Sequence, residues 1–412
     1  MRILHTSDWH LGQNFFTKSR KNEHQAFIRW LLTLVKTENI DAVIIAGDVF
    51  DTGTPPSYAR EMYNQFVVDI SRTGCQLVIL GGNHDSVSTL NESRQLLSCL
   101  NTRVIASTEG EPEEQLIELK NREGTVGALL CAVPFIRARD VMQSVAGGSG
   151  KDKQKQLGEQ IKDHYRMLYQ KALAYRENQN CQVPIIATGH LTALGVTKTE
   201  SERDIYIGSL DAFSADGFPP ADYIALGHIH RPQIVAKSDH IRYCGSPIPL
   251  SFDELKWRKQ VIIVEFFADK HRQIIPVDVP MFRRMEILKG DLAEIQVMLN
   301  QYPPASEEEE PVWLFIEVEV QDYLSDLQLR IQEMTAGLNV EVIRLKRSKS
   351  DRRDTLMREA TETLSELTPY DVFDKRLEKE RFDGEDEQKR LTRLKQKFSQ
   401  IVLEVGHKEG GE

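Results

Sequence analysis

Five short segments of this 412-residue chain place metal-binding side chains together: Asp8 and His10 in SDWH, Asp48 and Asp51 in GDVFD, Asn83 and His84 in GGNHD, His190 in GH, and His228 and His230 in GHIH. Asp8, His10, Asp48, Asn83, His190, His228 and His230 offer four imidazoles, two carboxylates and one carboxamide. Seven ligands suffice for two divalent ions if Asp48, with two oxygens and a negative charge, bridges them. The mixed nitrogen and oxygen set suits manganese, iron or zinc better than calcium. Two such ions about 3.5 to 4 Å apart are a standard arrangement for phosphoester hydrolysis. His84 follows Asn83 directly, so an Asn83 turned to the metal lets His84 project toward a substrate, where it could protonate a leaving oxygen. Asp51 could cap the following segment or hold a ligand histidine from behind. Each segment alone also reads as an ordinary strand end and turn. Five in one chain are not explained by turn chemistry.

The elements that must position these residues are visible as repeats of one pattern. Short β-branched runs, RILHT (2–6), DAVIIA (41–46), QLVIL (76–80), VPIIAT (183–188) and YIAL (223–226), each lead into one of the five segments. Val126 to Val133 and Gln260 to Phe267 read as further strands. Between the early runs, Ala26, Phe27, Trp30, Leu31, Leu34 and Val35 recur at helical spacing, as do Met62, Phe66, Val67 and Ile70. Nearly all-apolar strands separated by amphipathic helices predict a layered α/β core. Residues beyond the carboxyl ends of such strands converge on one edge, so groups far apart in sequence can build one cluster. The first strand is followed by no GxGxxG, and the later runs lie close together. A two-sheet sandwich flanked by helices therefore fits better than a doubly wound dinucleotide fold. Residues 144–160 read as an exposed connector, with a helix over about 162–175.

Composition narrows the function classes. Sixty-two acidic and 52 basic residues give a net charge of −10, with no global pull toward nucleic acid or membrane. The five cysteines form no CxxC pair, which disfavours a disulfide scaffold or a thiolate zinc site. No apolar run approaches membrane-spanning length. Asp8 precedes any long apolar stretch, so no signal peptide is expected and a reducing cytoplasm fits. No GxxxxGK[ST] occurs, so no nucleotide is expected on this chain.

Taken in order, SDWH, GDVFD, GGNHD, GH and GHIH resemble the calcineurin-like metallophosphoesterase signature. The opening MRILHTSDWHLGQ and the block IIAGDVFDTGTPPSYA are similar to the DNA double-strand-break repair nuclease branch of that family. The resemblance implies Asp8, His10, Asp48 and His230 around one metal, and Asp48, Asn83, His190 and His228 around the other. It implies His84 as the catalytic histidine, and manganese as the metal, with magnesium, iron or zinc as alternatives. In nuclease relatives a histidine often follows the GD motif where this chain has Asp51, which puts in doubt any role for an additional histidine in positioning DNA. The resemblance further implies a homodimer within a heterotetramer, working with a coiled-coil ATPase. The implied activities are ATP-dependent 3′→5′ double-strand exonuclease and single-strand and hairpin endonuclease, in DNA repair and recombination.

The expected organisation is a metallophosphoesterase core over 1–275, a small α/β capping domain over 280–350 and a helical tail over 355–412. The small domain reads helix, acidic loop, strand, helix, strand. Arg344 to Arg358 carries seven basic and two acidic residues. Arg344, Lys346, Arg347, Lys349, Arg352 and Arg353 could touch DNA phosphates, or simply form a solvated face. Leu391, Leu394, Phe398, Ile401 and Val405 follow a 3-4-3-4 spacing, one narrow seam suited to the ATPase coiled coil or to the chain's own core. Competing functions are a phosphoesterase for a small molecule or phosphoprotein, and a non-enzymatic scaffold for a repair ATPase. The complete ligand set speaks against the scaffold.

Overall fold

The computed structural model describes residues 1–141, 150–202, 212–268, 271–306, 309–320 and 326–349, and beyond them residues 373, 376, 377, 390, 391, 393–395, 397 and 398. It divides into two compact units, Met1–Arg283 and Arg284–Glu412. The first begins with β1 (Arg2–Thr6), a hairpin of β2 (Asn14–Phe15) and β3 (Lys18–Ser19), α1 (Lys21–Thr37), β4 (Ala42–Ile45), α2 (Ser57–Ser71), β5 (Gln76–Leu80), the short α3 (Val87–Asn91) and α4 (Arg94–Ser98), and β6 (Thr102–Ile105). It continues with β7 (Leu116–Lys120), β8 (Val126–Cys131), α5 (Ala138–Val141), α6 (Gly150–Asn178), β9 (Ile185–His190), β10 (Tyr223–Gly227), β11 (Gln233–Val235), β12 (Ser238–Tyr243), β13 (Gln260–Phe266) and β14 (Arg272–Asp278).

These strands build two six-stranded sheets, ordered β14-β13-β1-β4-β5-β6 and β11-β12-β10-β9-β8-β7. Alternation along each strand explains the layers. Ile3, Ala42, Ile44, Val78 and Leu80 face the second sheet, where Leu130, Ile186, Tyr223 and Ala225 meet them. Leu4, Val43, Ile45, Leu77 and Ile79 face outward, under Phe27 and Leu31 of α1 and Phe66 and Val67 of α2. The expected sandwich of two sheets flanked by helices is what forms. Among the described residues, no helix is long and apolar enough to cross a membrane.

Strands β1, β4 and β5 run parallel, and so do β9 and β10, so in each sheet the carboxyl ends share an edge. Polar bolts set the two sheets in register. The wholly buried His5 ring has Nε2 3.2 Å from the Leu226 carbonyl and Nδ1 3.0 Å from the Tyr223 hydroxyl. A carbonyl only accepts, so Nε2 carries the proton and Nδ1 accepts from Tyr223. Burial pushes the His5 ring down to about 3, so it stays neutral.

In the second unit, β15 (Met285–Gly290), α7 (Leu292–Leu299), β16 (Val312–Val320), α8 (Leu327–Thr335) and β17 (Val340–Lys349) form a parallel sheet ordered β15-β16-β17. Ile295, Leu299, Leu327 and Ile331 of the helices pack with Leu314, Ile316 and Val318 of β16. A capping box between Asp291 and Glu294 starts α7. The leading strand β15 goes beyond what the sequence predicts. Its six residues (MEILKG) carry too little alternation to announce a strand, and pairing with β16 creates it.

Helix α6 also differs from expectation. It begins at Gly150 and takes in residues expected to form a connector. Lys and Gln are good helix formers. Leu157, Ile161, Tyr165, Leu168 and Ala172 continue one stripe at spacings of three and four, all fully buried against the second sheet. Leu157→Ala tests this directly. As a packed core residue it should cost about 2–5 kcal/mol in denaturant unfolding. A loss below about 0.5 kcal/mol, ordinary for a surface position, would return the segment to a connector.

Candidate metal centre

Most of the ligand-bearing segments leave their strands through tight turns. Asp8 (φ 56°), His10 (φ 48°), Asp48 (φ 50°) and His228 (φ 94°) all adopt left-handed backbone. Such residues cost of order 1–3 kcal/mol each and persist only where the surroundings hold them. Here the turns hold one another. Asp8 N–H donates to the Gly47 carbonyl at 3.0 Å, and His10 N–H to the Asp48 carbonyl at 3.1 Å. His228 N–H donates to Asp8 Oδ1 at 2.9 Å, tying the second sheet to the first. Two glycines supply the room. A Cβ at Gly82 would overlap the Asp48 carboxylate, and one at Gly47 (φ 93°) would overlap the His190 ring.

The result brings together Asp8, His10, Asp48, Asn83, His84, His190, His228 and His230. Donor atoms of Asp8, His10 and His230 lie within 4.8 Å of one another, as do those of Asp48, His190 and His228, and those of His10, Asp48 and His84. Asp48 is therefore common to two of the three groups. Its Oδ1 accepts from His84 N–H at 2.8 Å. Its Oδ2 lies 3.1 Å from His190 Nε2 and 3.8 Å from His10 Nε2. Asn83 Oδ1 lies 2.9 Å from His190 Nε2 and 3.2 Å from His228 Nδ1.

The partners behind the rings decide what faces inward. His190 Nδ1 is 2.9 Å from the Ala46 carbonyl, which can only accept. In the neutral ring Nδ1 therefore carries the proton, and the Nε2 lone pair meets two oxygen acceptors, Asp48 Oδ2 and Asn83 Oδ1. Three acceptors aimed at one small space repel one another unless a proton or a cation sits among them. His10 Nδ1 is 3.1 Å from Asp51 Oδ1, which turns His10 Nε2 inward. Both His10 Nε2 and His228 Nε2 are buried and have no hydrogen-bond partner among the described residues. Buried polar atoms are normally satisfied, so such orphans fit positions meant for a metal.

The electrostatics agree. Burial opposes charge on His190, but the Asp48 carboxylate beside it dominates and lifts the ring to about 9. Burial likewise opposes charge on Asp48, yet His190 and His84 hold it well below the usual carboxylate range. Burial and the neighbouring His190 drive His228 well below the ordinary histidine value. A cationic point next to Asp48 and a neutral ring at His228 are what this donor set needs to take a divalent ion.

His84 stands apart. Its ring is half-buried, 4.6 Å from the His10 ring centroid and edge-on to it. Its Nδ1 lies 2.7 Å from the Asp51 carbonyl, which fixes the proton there and leaves Nε2 as the ring atom able to exchange one. Asp51 thus serves two histidines, His10 through its side chain and His84 through its main chain.

Sequence reasoning passes over Asp85. Its carboxylate accepts from the N–H groups of Val49 (3.1 Å), Phe50 (2.9 Å) and Gly82 (2.9 Å), pinning the Asp48 turn to the Asn83 turn. Burial and the nearby Asp48 push it up to about 6. A short acid closing a glycine-rich turn is the available signal.

The remaining candidates belong to the second unit. Arg344, Lys346 and Arg347 lie on β17, where the side chains alternate. Arg344 and Lys346 pair with Phe315 and Glu317, while Arg347 pairs with Val318 on the opposite face. The Arg344 guanidinium sits 5.0 Å over the Phe315 ring, and Lys346 is 3.4 Å from Glu317. Among the described residues the run is therefore split between two faces of the strand. The Lys349 side chain, Arg352 and Arg353 lie outside the described residues, as do Ile401 and Val405. Leu391, Leu394 and Phe398 are half-buried, and the Phe398 ring stacks on Phe373 of the same chain at 3.9 Å.

Residues 1–232 match the family model of calcineurin-like phosphoesterases, and residues 281–381 match a model described as type 5 capsule protein repressor C-terminal domain. The chain is 53% identical over 394 residues to the SbcD component of nuclease SbcCD from Escherichia coli (strain K12), covering 96% of each protein. It is 33% identical over 316 residues to the SbcD component from Rhodobacter capsulatus, covering 73% of this chain and 76% of that one. It is 31% identical over 333 residues to its counterpart from Bacillus subtilis (strain 168), covering 79% and 81%. With the strand-end ligand turns in place and these matches spanning nearly the whole chain, it belongs to the calcineurin-like phosphoesterases and, within them, to the SbcD family of SbcCD nucleases.

Proposed function

We infer that the chain is the metal-dependent DNA phosphodiesterase component of a two-component nuclease. The observation that carries this is the convergence of His190 Nε2, Asp48 Oδ2 and Asn83 Oδ1 on one point, beside the orphaned Nε2 atoms of His10 and His228. Asp8, His10, Asp48 and His230 would hold one ion, and Asp48, Asn83, His190 and His228 the other. The mixed nitrogen and oxygen donors support manganese. When bound, two such ions supply a hydroxide nucleophile at neutral pH and neutralise charge growing on the phosphoryl oxygens.

The protein's own groups do the rest. Asp48, whose Oδ2 faces both His190 and His10, would be shared by the two ions. Asp51 and the Ala46 carbonyl fix the tautomers of His10 and His190, so their Nε2 lone pairs stay inward. His84, oriented by the Asp51 carbonyl, uses Nε2 to protonate the leaving 3′ or 5′ oxygen or to stabilise the transition state. On β17, Arg344 and Lys346, which share one face, would contact DNA phosphates, which adds affinity without reading sequence. The relatives are named as one component of the SbcCD complex, which supports a second, ATP-consuming component of the SbcC type. The family resemblance supports a coiled-coil partner, a homodimer within a heterotetramer, and exonuclease and hairpin-opening activities.

Asp48→Asn should leave the fold intact while weakening both ions, because the neutral amide loses the shared charge. Metal content by elemental analysis, beside thermal unfolding, reads this. Two ions retained per chain would end the bridging role.

His84→Ala should keep both ions and DNA binding yet reduce hydrolysis of labelled hairpin DNA about 10²–10⁴-fold. Loss of one ion instead would make His84 a ligand, as its place beside His10 and Asp48 allows. Turnover of a small phosphodiester by the wild type with none on DNA, partner present, would favour a small-molecule phosphoesterase.

A further inference from the structure

Among the candidate ligands His230 has the most elaborate support, and most of it lies beyond residues 1–232. Its Nδ1 lies 2.5 Å from Ser201 Oγ. Ser201 Oγ in turn hydrogen-bonds Glu254 Oε1. A carboxylate oxygen only accepts, so the Ser201 hydroxyl proton points at Glu254, and Ser201 Oγ must accept from His230 Nδ1–H. The direction of the chain is thus fixed from its far end.

Glu254 is fully buried. Its Oε2 accepts from Lys259 Nζ, from Leu250 N–H at 3.0 Å and from Ser246 Oγ at 3.2 Å. Lys259 is itself buried and also donates to the His230 carbonyl at 3.1 Å. The His230 N–H donates to Glu202 Oε1 at 2.6 Å. Side chain, amide and carbonyl of one residue are all clamped by charged groups. A buried Lys–Glu pair is a poor route to stability, since desolvating two ions costs several kcal/mol apiece and well-packed apolar residues often do better. Its retention here calls for another role.

We propose that Glu254, acting through Ser201 and held by Lys259, is a positioning residue that fixes His230 as the Nδ1–H tautomer and presents its Nε2 lone pair to the ion shared with Asp8 and His10. This rests on the two-metal reading above. Carboxylates that orient a ligand imidazole from behind typically matter about 10–100-fold in metal affinity.

Two measurements decide it. In metal-free protein labelled with ¹⁵N-histidine, the His230 signal should show a protonated Nδ1 and an unprotonated Nε2, and Ser201→Ala should disturb that tautomer alone. An Nε2–H tautomer in the wild type overturns the proposal. In Mn²⁺ titration calorimetry, Ser201→Ala should weaken one of two sites about 10–100-fold and spare the other. The same change on a His230→Ala background should add nothing, because the two act as one unit. A full additional loss there, or unchanged affinity in the folded Ser201→Ala protein, makes the network purely structural. Glu254→Gln leaves Lys259 buried without its counter-charge, so the neutral pair Glu254→Gln with Lys259→Met accompanies it. It should lose the same site with its melting temperature kept. Failure of the wild type to bind any Mn²⁺ defeats the two-metal reading, while the tautomer still decides the relay.

Discussion

The Asp48 carboxylate is wholly inside the protein, one oxygen bonded to the His84 amide and the other facing His190 and His10. An ionised group there must be matched by positive charge or by strong donors, since isolated burial is prohibitive. Much of the surrounding architecture answers that requirement. Five strands from two sheets end near it, Gly82 lacks the side chain that would collide with it and Gly47 the one that would collide with His190, and Asp85 locks its turn to the next. In their neutral forms His10, His84 and His190 carry the proton on Nδ1, the ring atom turned away. What remains at the centre is a set of lone pairs, an unfavourable arrangement for the protein alone and a favourable one around divalent ions.

Such a site is costly to hold in shape. Left-handed backbone at Asp8, His10, Asp48 and His228 adds strain, and the buried pair Glu254 and Lys259 adds desolvation. These terms are offset by two apolar layers packed outside the sheets and a third between them. The aromatic residues near the turns contribute directly. Trp9, between the candidate ligands Asp8 and His10, is buried edge-on to both Phe27 and Phe66, so the first of these turns is anchored in the core under α1 and α2. Rigidity at these turns is therefore inherited from the packing of α1 and α2.

Legibility in the sequence follows the range of the interactions. The strand runs, the helices over 21–37 and 57–71 and the seven ligand-type residues are set by local chemistry: apolar periodicity, then glycine, then a donor side chain. Parallel strands bring their ends to one edge whatever the details, so the cluster can be assembled on paper. Helix α6 is longer than its sequence announces because charged residues mask the buried stripe at Leu157 and Ile161, and β15 escapes detection because only its neighbour makes it a strand.

The sequence by itself determined which residues could bind metal and that they would lie together, because side-chain donor type and strand period are properties of the chain. Only the tertiary structure decided how each ring is turned. The Ala46 carbonyl behind His190, Asp51 behind His10 and Ser201 behind His230 lie 144, 41 and 29 residues away along the chain. No spacing rule links them: the first contact arises only when the two sheets close face to face, and the other two only when loops beyond neighbouring strands of one sheet fold onto each other. Pairing with β16 likewise carries β17 past Leu345 to Lys349, and only then does the strand period put the adjacent Lys346 and Arg347 on opposite faces.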